Sequence, residues 1–299
     1  MDRNLNICLC ICLSLLFGIS SNVESQAYHG EPELIDGEPF SLPYEGQVLW
    51  IRRYHPPTES HQHLSAVRIN KRCGITAGHA FIDQGYEFTD HVVGNGTNWM
   101  TDKGQMRNVV EYEVHPSWLA VNGFWNGDAV DLATICWDQD LHGDDLEIGT
   151  LSIDEVFEYA GFGRPAIEGQ LFDFDGQRRA WEAGAHAWGS GAGTISTDYV
   201  RSRFRELGHP TFLPMGGIVT GGSSGSPGFN SLGELVALAV YGQGSPNYLG
   251  ASYGIRLELY QDWIESRTAL PPDPPTFQVS KHAVRFNVLS KCRIGQNPC

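Results

Sequence analysis

The chain has 299 residues, 41% of them hydrophobic and 18% charged, which supplies apolar material for one large core or two fused smaller ones and excludes a disordered or fibrous protein. Its formal net charge is -15, and Lys and Arg are scattered rather than clustered, so neither nucleic acid nor an anionic membrane is an expected partner.

The first element in chain order is a leader. Ile7 to Ile19 is mostly apolar and is followed by small residues, the pattern of a secretory signal, and it falls short of the roughly 20 residues a membrane-spanning helix needs. Residues 1–25 are therefore expected to be removed as a signal peptide, with 26–34 as a short pro-segment, giving a secreted, extracellular protein; an N-terminal anchor is the alternative. Three of the seven cysteines, Cys8, Cys10 and Cys12, leave with that leader. The four that remain, Cys73, Cys136, Cys292 and Cys299, suit two disulfides in an oxidising compartment, with three connectivities open. Asn95 in "NGT" is an N-glycosylation acceptor in a secreted chain.

From Leu34 to Asp262 short apolar or alternating runs follow one another, among them "GQVLWIRR", "HLSAVRI", "GITAGHAF", "NVVEYEVH", "DLATICW" and "LVALAVYG", each bounded by Gly, Asn, Asp or Pro. This punctuation predicts an all-β sandwich or barrel architecture, and the length argues for two such units packed together. One helix is predicted late, in "LELYQDWIESRTAL", where Leu257, Tyr260, Trp263 and Ile264 share a face. "PPDPP" at 271–275 stops it and opens a tail containing "CRIGQNPC", whose cysteines can close a short loop.

Three stretches hold residues that can carry chemistry. "GITAGHAF" puts His79 on a turn after an apolar run, "DAVDLATICW" puts Asp131 before another, and "TGGSSGSPGF" sets Ser223 and Ser224 side by side among glycines. Singly they read as a loop histidine, a polar strand cap and a flexible turn. Together they follow the order His, Asp, Ser, with room for several strands in each gap.

On these residues the chain resembles the trypsin/chymotrypsin-like serine peptidases over roughly residues 34–268. "VHPSW" from His115 to Trp118, "YAGFGR" with Gly161 and Gly163, "AVYGQG" and "YQDWIES" are similar, in the same order, to further elements of that family. The resemblance implies two packed six-stranded antiparallel β-barrels with a C-terminal helix over 35–268, a catalytic cleft between the barrels, and a Pro-rich linker and Cys-containing tail over 269–299. It implies Ser224 as nucleophile, His79 as its base, Asp131 as the carboxylate that orients the imidazole, and the N–H groups of Gly222 and Ser224 as an oxyanion hole. A serine hydroxyl is a poor nucleophile at neutral pH, which is why the base and the carboxylate are both needed.

The departures from the family are informative. Ser223 stands where trypsin has an Asp that receives a new N-terminal ammonium, so trypsin-style activation is not expected, and local hydroxyl hydrogen bonds are expected to hold the loop instead. "GSSGSP" is closer to the glutamyl endopeptidase branch, although "AVYG" lacks the pocket histidine of that branch. Ile218 falls where trypsin has the Asp that binds basic side chains, so a basic preference is not expected. Ile218, Tyr241 and Gly242 are the substrate-binding positions, and Gly242 with Ala251 or Ser252 would leave a pocket open to an apolar or aromatic side chain.

The resemblance also makes the strands beside His79 and Asp131 neighbours, which would join Cys73 to Cys136 and leave Cys292 for Cys299; buried free thiols are the alternative for the first pair. No cofactor and no metal are implied: His55, His61 and His63 lack the spacing of a zinc site and read as surface loop histidines, and "DDLE" near Asp144 reads as a solvated turn. The implied function is a secreted serine endopeptidase acting on protein or peptide substrates, open to protein inhibitors and unattached to any membrane once the signal is cut. A catalytically inactive secreted binding protein on the same fold is the alternative, and an esterase-like acyl hydrolase a third reading.

Overall fold

The computed structural model describes residues 38–39, 46–126, 128–167, 170–189, 197–205, 208–213, 215–243 and 250–269. The leader, the pro-segment up to residue 34, Cys292, Cys299 and the tail from residue 270 lie outside the described residues.

Six strands close the first barrel: β1 (Val48–His55), β2 (Ser60–Arg68), β3 (Cys73–Thr76), β4 (Thr89–Gly94), β5 (Met106–Val114) and β6 (Ala133–Trp137). Their order round the barrel is β1-β2-β3-β6-β5-β4, with β4 pairing back onto β1. The sequence of β1 shows why its apolar run is unbroken. Leu49 and Ile51 point into the barrel interior, while Val48 and Trp50 join a second apolar cluster that runs between the two halves of the molecule. A strand buried on both faces has no polar side to show as alternation.

The second half is one antiparallel sheet of eight strands. Six of them are β7 (Val156–Gly161), β8 (Arg179–Gly184), β10 (Tyr199–Arg203), β11 (Pro227–Phe229), β12 (Leu235–Gln243) and β13 (Ala251–Arg256), in the order β8-β7-β11-β12-β13-β10. The two-residue strands Glu38–Pro39 and β9 (Ala187–Trp188) flank them, on β8 and β10 respectively. Only Ala185 and His186 separate β8 from β9, yet the two stand near opposite ends of the sheet, so the sheet has to curl round on itself. His186 N–H donates to Arg201 O at 3.1 Å across that seam. This half is thus a curled half-barrel among the described residues, where the resemblance implied a second closed one, and its interior is packed by Phe157, Tyr159, Trp181, Val200 and Val236.

The predicted helix forms as a 3-10 turn over Leu257–Leu259 followed by an α-helix over Gln261–Thr268. Leu257 and Ile264 are buried and Tyr260 and Trp263 half-buried, as the spacing requires. The helix returns to the first barrel, packing on β3 and β6, and Asn70 Nδ2 donates to Thr268 O at 2.8 Å.

Cys73 and Cys136 face each other across β3 and β6 and are joined by a disulfide, with Cα atoms 4.1 Å apart. His61 and His63 lie on β2 rather than on a loop, and His63 stacks on Trp99 with ring centroids 3.7 Å apart. Aromatic surface, which no spacing rule for metal ligands would reveal, accounts for that histidine. Asn95 follows β4, and its side-chain oxygen accepts from Gln105 N–H at 2.7 Å.

Candidate active site

His79 enters the cleft on a 3-10 turn, Gly78–Ala80, that begins two residues after β3. Gly78 packs tightly here: a Cβ would sit 3.0 Å from the Trp118 ring and 3.2 Å from Asp131 Oδ1, so a larger residue would have to displace them. Trp118 belongs to the short helix Pro116–Ala120 grown from "VHPSW", and its indole N–H donates to Ile82 O at 2.9 Å.

Asp131 is 1% exposed and uses both carboxylate oxygens on His79. Oδ1 accepts the His79 backbone N–H at 2.7 Å, and Oδ2 lies 2.6 Å from ring Nδ1. A carboxylate only accepts, so this contact places a proton on Nδ1 and leaves Nε2 as the basic nitrogen. Two further groups brace the pair. The Tyr199 hydroxyl, reaching from β10, donates to Ala129 O and accepts the Asp131 backbone N–H at 3.3 Å. Burial pushes that phenol well above its usual range, so it stays protonated and able to donate. Arg53 of β1 donates to His79 O and, at 2.7 and 3.0 Å, to Gln62 Oε1, with its guanidinium over the Phe88 ring. Burial lowers its pKa to about 10, against the pull of Asp83 and Asp131, so it remains a cation at neutral pH.

Ser224 lies on a tight turn before β11. Ser223 N–H donates to Thr220 O at 3.1 Å and Ser226 N–H to Ser223 O at 2.9 Å. Gly222 has φ +95° and Gly225 φ +87°, the left-handed region that glycine adopts without strain. A Cβ on Gly222 would meet Phe162 O at 2.8 Å, so the protein's own backbone, before any substrate, requires glycine there. Ser223 is fully buried, and its hydroxyl accepts Thr220 N–H at 3.3 Å, a local hydroxyl tie of the kind expected in place of an ion pair. The Ser224 hydroxyl donates to Val240 O at 3.4 Å. Val240 sits at the irregularity between Ala239 and Tyr241 where β12 slips against β13, and bulges of this kind re-aim groups beside functional sites.

His79, Asp131, Ser224, Ile218, Tyr241 and Gly242 all line one cleft of about 450 Å³, walled also by Trp118 and Trp125. Tyr241 stacks on Trp125 at 5.2 Å between centroids. Beside Gly242 this cleft is narrow among the described residues. A Cβ on Gly242 would lie 2.3 Å from Val219 O, and Val219 N–H donates to the Ser252 hydroxyl at 2.8 Å. Ile218 is buried with Ala166 and Phe204. Val219 and Gly242 therefore approach each other closely, and Ser252 ties Val219 in place.

A closed barrel, a curled partner sheet, and one cleft lined by His79, Asp131 and Ser224 are a specific combination, and a solved structure shares the fold. The scabies mite inactivated protease paralogue S-I1 superposes on 77% of this chain and 97% of its own, with a TM-score of 0.58 and 16% sequence identity. The fold is chymotrypsin-like. At that identity the likeness speaks for the chymotrypsin-like fold alone, since one fold hosts many functions. No protein-family model matches the chain, and no curated protein matches it.

Three residues around the site escape sequence reasoning: Arg53, Tyr199, and Ser65, whose hydroxyl donates to Gly222 O. Arg53 carried a signal, a charge that continues the inward-facing positions Leu49 and Ile51 along the same strand. Ser65, a buried polar residue within "HLSAVRI", carried a related one.

Proposed function

We propose that the protein is a serine-dependent peptide-bond hydrolase in which Ser224 is the nucleophile, His79 its general base and Asp131 the orienting carboxylate. The observation that carries this reading is the two-point hold of Asp131 on His79 in the cleft that Ser224 lines. With Nδ1 protonated, Nε2 can take the Ser224 proton as the hydroxyl attacks the scissile carbonyl, and the carboxylate stabilises the imidazolium that forms. The N–H groups of Gly222 and Ser224 receive the developing oxyanion; one such donor is worth about 3 kcal/mol in the transition state. His79 then protonates the leaving amine, and water activated by His79 releases the acyl group. The N-terminal leader and the Cys73–Cys136 bridge support a secreted setting.

The contact of Val219 with Gly242, tied by Ser252, supports a preference for a small side chain, Gly or Ala, on the acyl side of the scissile bond. The glutamyl-branch likeness rests only on "GSSGSP" and finds no cationic or histidine partner for an acidic side chain among the cleft-lining residues other than His79 itself. Hydrolysis of a peptide library tests both levels. Cleavage after small residues is expected, and His79→Ala and Ser224→Ala should each lose at least about 10³-fold in kcat. Cleavage chiefly after large side chains would overturn the specificity while leaving the mechanism standing.

A second reading, a non-catalytic binding protein, is favoured by one observation: the Ser224 hydroxyl is directed at Val240 O, 3.4 Å away. The fold neighbour, described as an inactivated protease paralogue, gives that reading weight. Peptide binding without turnover, unchanged in Ser224→Ala, is its signature.

A further inference from the structure

Ser65 belongs to the first barrel, yet everything its polar atoms touch on the far side of the cleft belongs to the nucleophile turn or its support. It lies on β2, is fully buried, and faces the seam between the two halves, next but one to Val67 of the shared cluster. Its hydroxyl donates to Gly222 O at 3.0 Å and accepts Phe162 N–H at 2.9 Å. Its backbone N–H donates to Ser224 O at 2.8 Å, and its carbonyl accepts the Thr76 hydroxyl at 2.7 Å. A Cβ on Gly225 would stand 1.9 Å from Ser65 O, so the turn presses directly on this strand.

Both ends of the Gly222–Ser223–Ser224 segment are thus pinned by a single residue of the other half. The carbonyl of Gly222 belongs to the peptide joining it to Ser223, and fixing that plane limits rotation of the neighbouring peptides, which carry the N–H groups of Gly222 and Ser224. A buried serine hydroxyl with its donor and one acceptor site filled is a firm tie, because breaking it strands Phe162 N–H and Gly222 O without water.

We propose that Ser65 is a positioning residue that presets the N–H groups of Gly222 and Ser224 from the opposite half of the molecule. The proposal rests on the hydrolase reading for its kinetic consequence and on geometry alone for its structural one. The centre of the turn is tied locally as well, the Ser223 hydroxyl accepting the Thr220 N–H at 3.3 Å.

The test pairs kinetics with hydrogen–deuterium exchange on full-length wild type, Ser65→Ala and Ser65→Cys. In Ser65→Ala the kcat for a small-residue peptide should fall about 10- to 100-fold, the cost of misplacing a transition-state contact, with KM within about twofold. The peptide covering residues 218–226 should exchange faster than in the wild type, while that covering β3 is unchanged. Ser65→Cys, similar in size with a weaker donor, should fall between them, and it keeps the test available should the alanine variant not fold. Equal exchange of 218–226 in all three proteins would overturn the proposal. If the wild type neither cleaves nor acylates, the hydrolase reading fails, and the exchange data still decide whether Ser65 holds the turn.

Discussion

His91 shows what burial does to one titratable side chain near the cleft. It is buried on β4, lies against the rings of Phe81 and Tyr112, and its Nε2–H donates to Ala80 O at 3.1 Å, one residue beyond His79. Burial lowers its pKa to about 4, with Arg53 adding to the effect and the Ala80 bond opposing it. His63, stacked on Trp99, is lowered to about 4 chiefly by burial as well. The unfolded chain takes up these protons near pH 6.5, whereas the folded chain resists them until about pH 4, so their contribution to stability is complete above pH 6.5 and is lost as the pH falls towards 4. The Tm should therefore drop across that interval, and His91→Gln, which keeps a donor for Ala80 O but does not titrate, should make the drop shallower. An identical slope in both proteins would show that His91 is protonated in the native state. At this scale the sequence motifs were enough to single out His79, Asp131 and Ser224, which the fold brings to one cleft. They did not reveal Ser65, Arg53 and Tyr199, whose partners lie far along the chain and meet them only through the fold.

Among the elements, the pair β3 and β6 does the most for the site, because His79 follows one and Asp131 precedes the other. The ladder runs Cys73 to Cys136 and Thr76 to Ala133, so the register that joins the cysteines also sets His79 opposite Asp131. The disulfide closes a loop with a sequence separation of 63 residues, for which the loss of chain entropy in the unfolded state predicts about 4 kcal/mol of stabilisation. Replacing both cysteines by alanine should lower the unfolding free energy in guanidinium by about 2–4 kcal/mol, while the acylation rate stays near that of the wild type because the β ladder keeps the register. A large loss of acylation in a variant that still folds would mean that the bridge, not the ladder, aligns the pair. The long strands were readable because their apolar runs are bounded by turn residues. The two-residue strands, such as Ala187–Trp188, were not, since nothing in so short a stretch distinguishes it from a loop. The His61 and His63 segment was misplaced on a loop because its histidines pack on aromatic rings, His61 against Tyr54 opposite it on β1 and His63 against Trp99, a neighbourhood invisible to local pattern.

For the molecule as a whole, two halves are held by one apolar cluster that includes Val48, Trp50, Val67, Phe162, Leu238 and Tyr253, and by polar ties that cross the seam at the cleft itself. Tyr199 reaches from the second half to Asp131, and Ser65 reaches from the first half to the serine turn. Each half thereby supports the functional group carried by the other, so neither half alone presents the arrangement. The two-unit architecture followed from length and strand count, whereas the way the second sheet curls among the described residues depends on pairing between strands distant in sequence. The narrowing of the cleft beside Gly242 was hidden for a related reason: side-chain volume says nothing of the hydrogen bond that holds Val219 to Ser252. The central claim, that Ser224 is an activated nucleophile, is tested most directly by reacting the purified protein with a fluorophosphonate probe and mapping the adduct by mass spectrometry, with Ser223→Ala, Ser224→Ala and His79→Ala alongside. The account predicts an adduct on Ser224 in the wild type and in Ser223→Ala, none in Ser224→Ala, and acylation slowed by orders of magnitude in His79→Ala; a wild-type protein that takes no label, or takes it on Ser223, would contradict it.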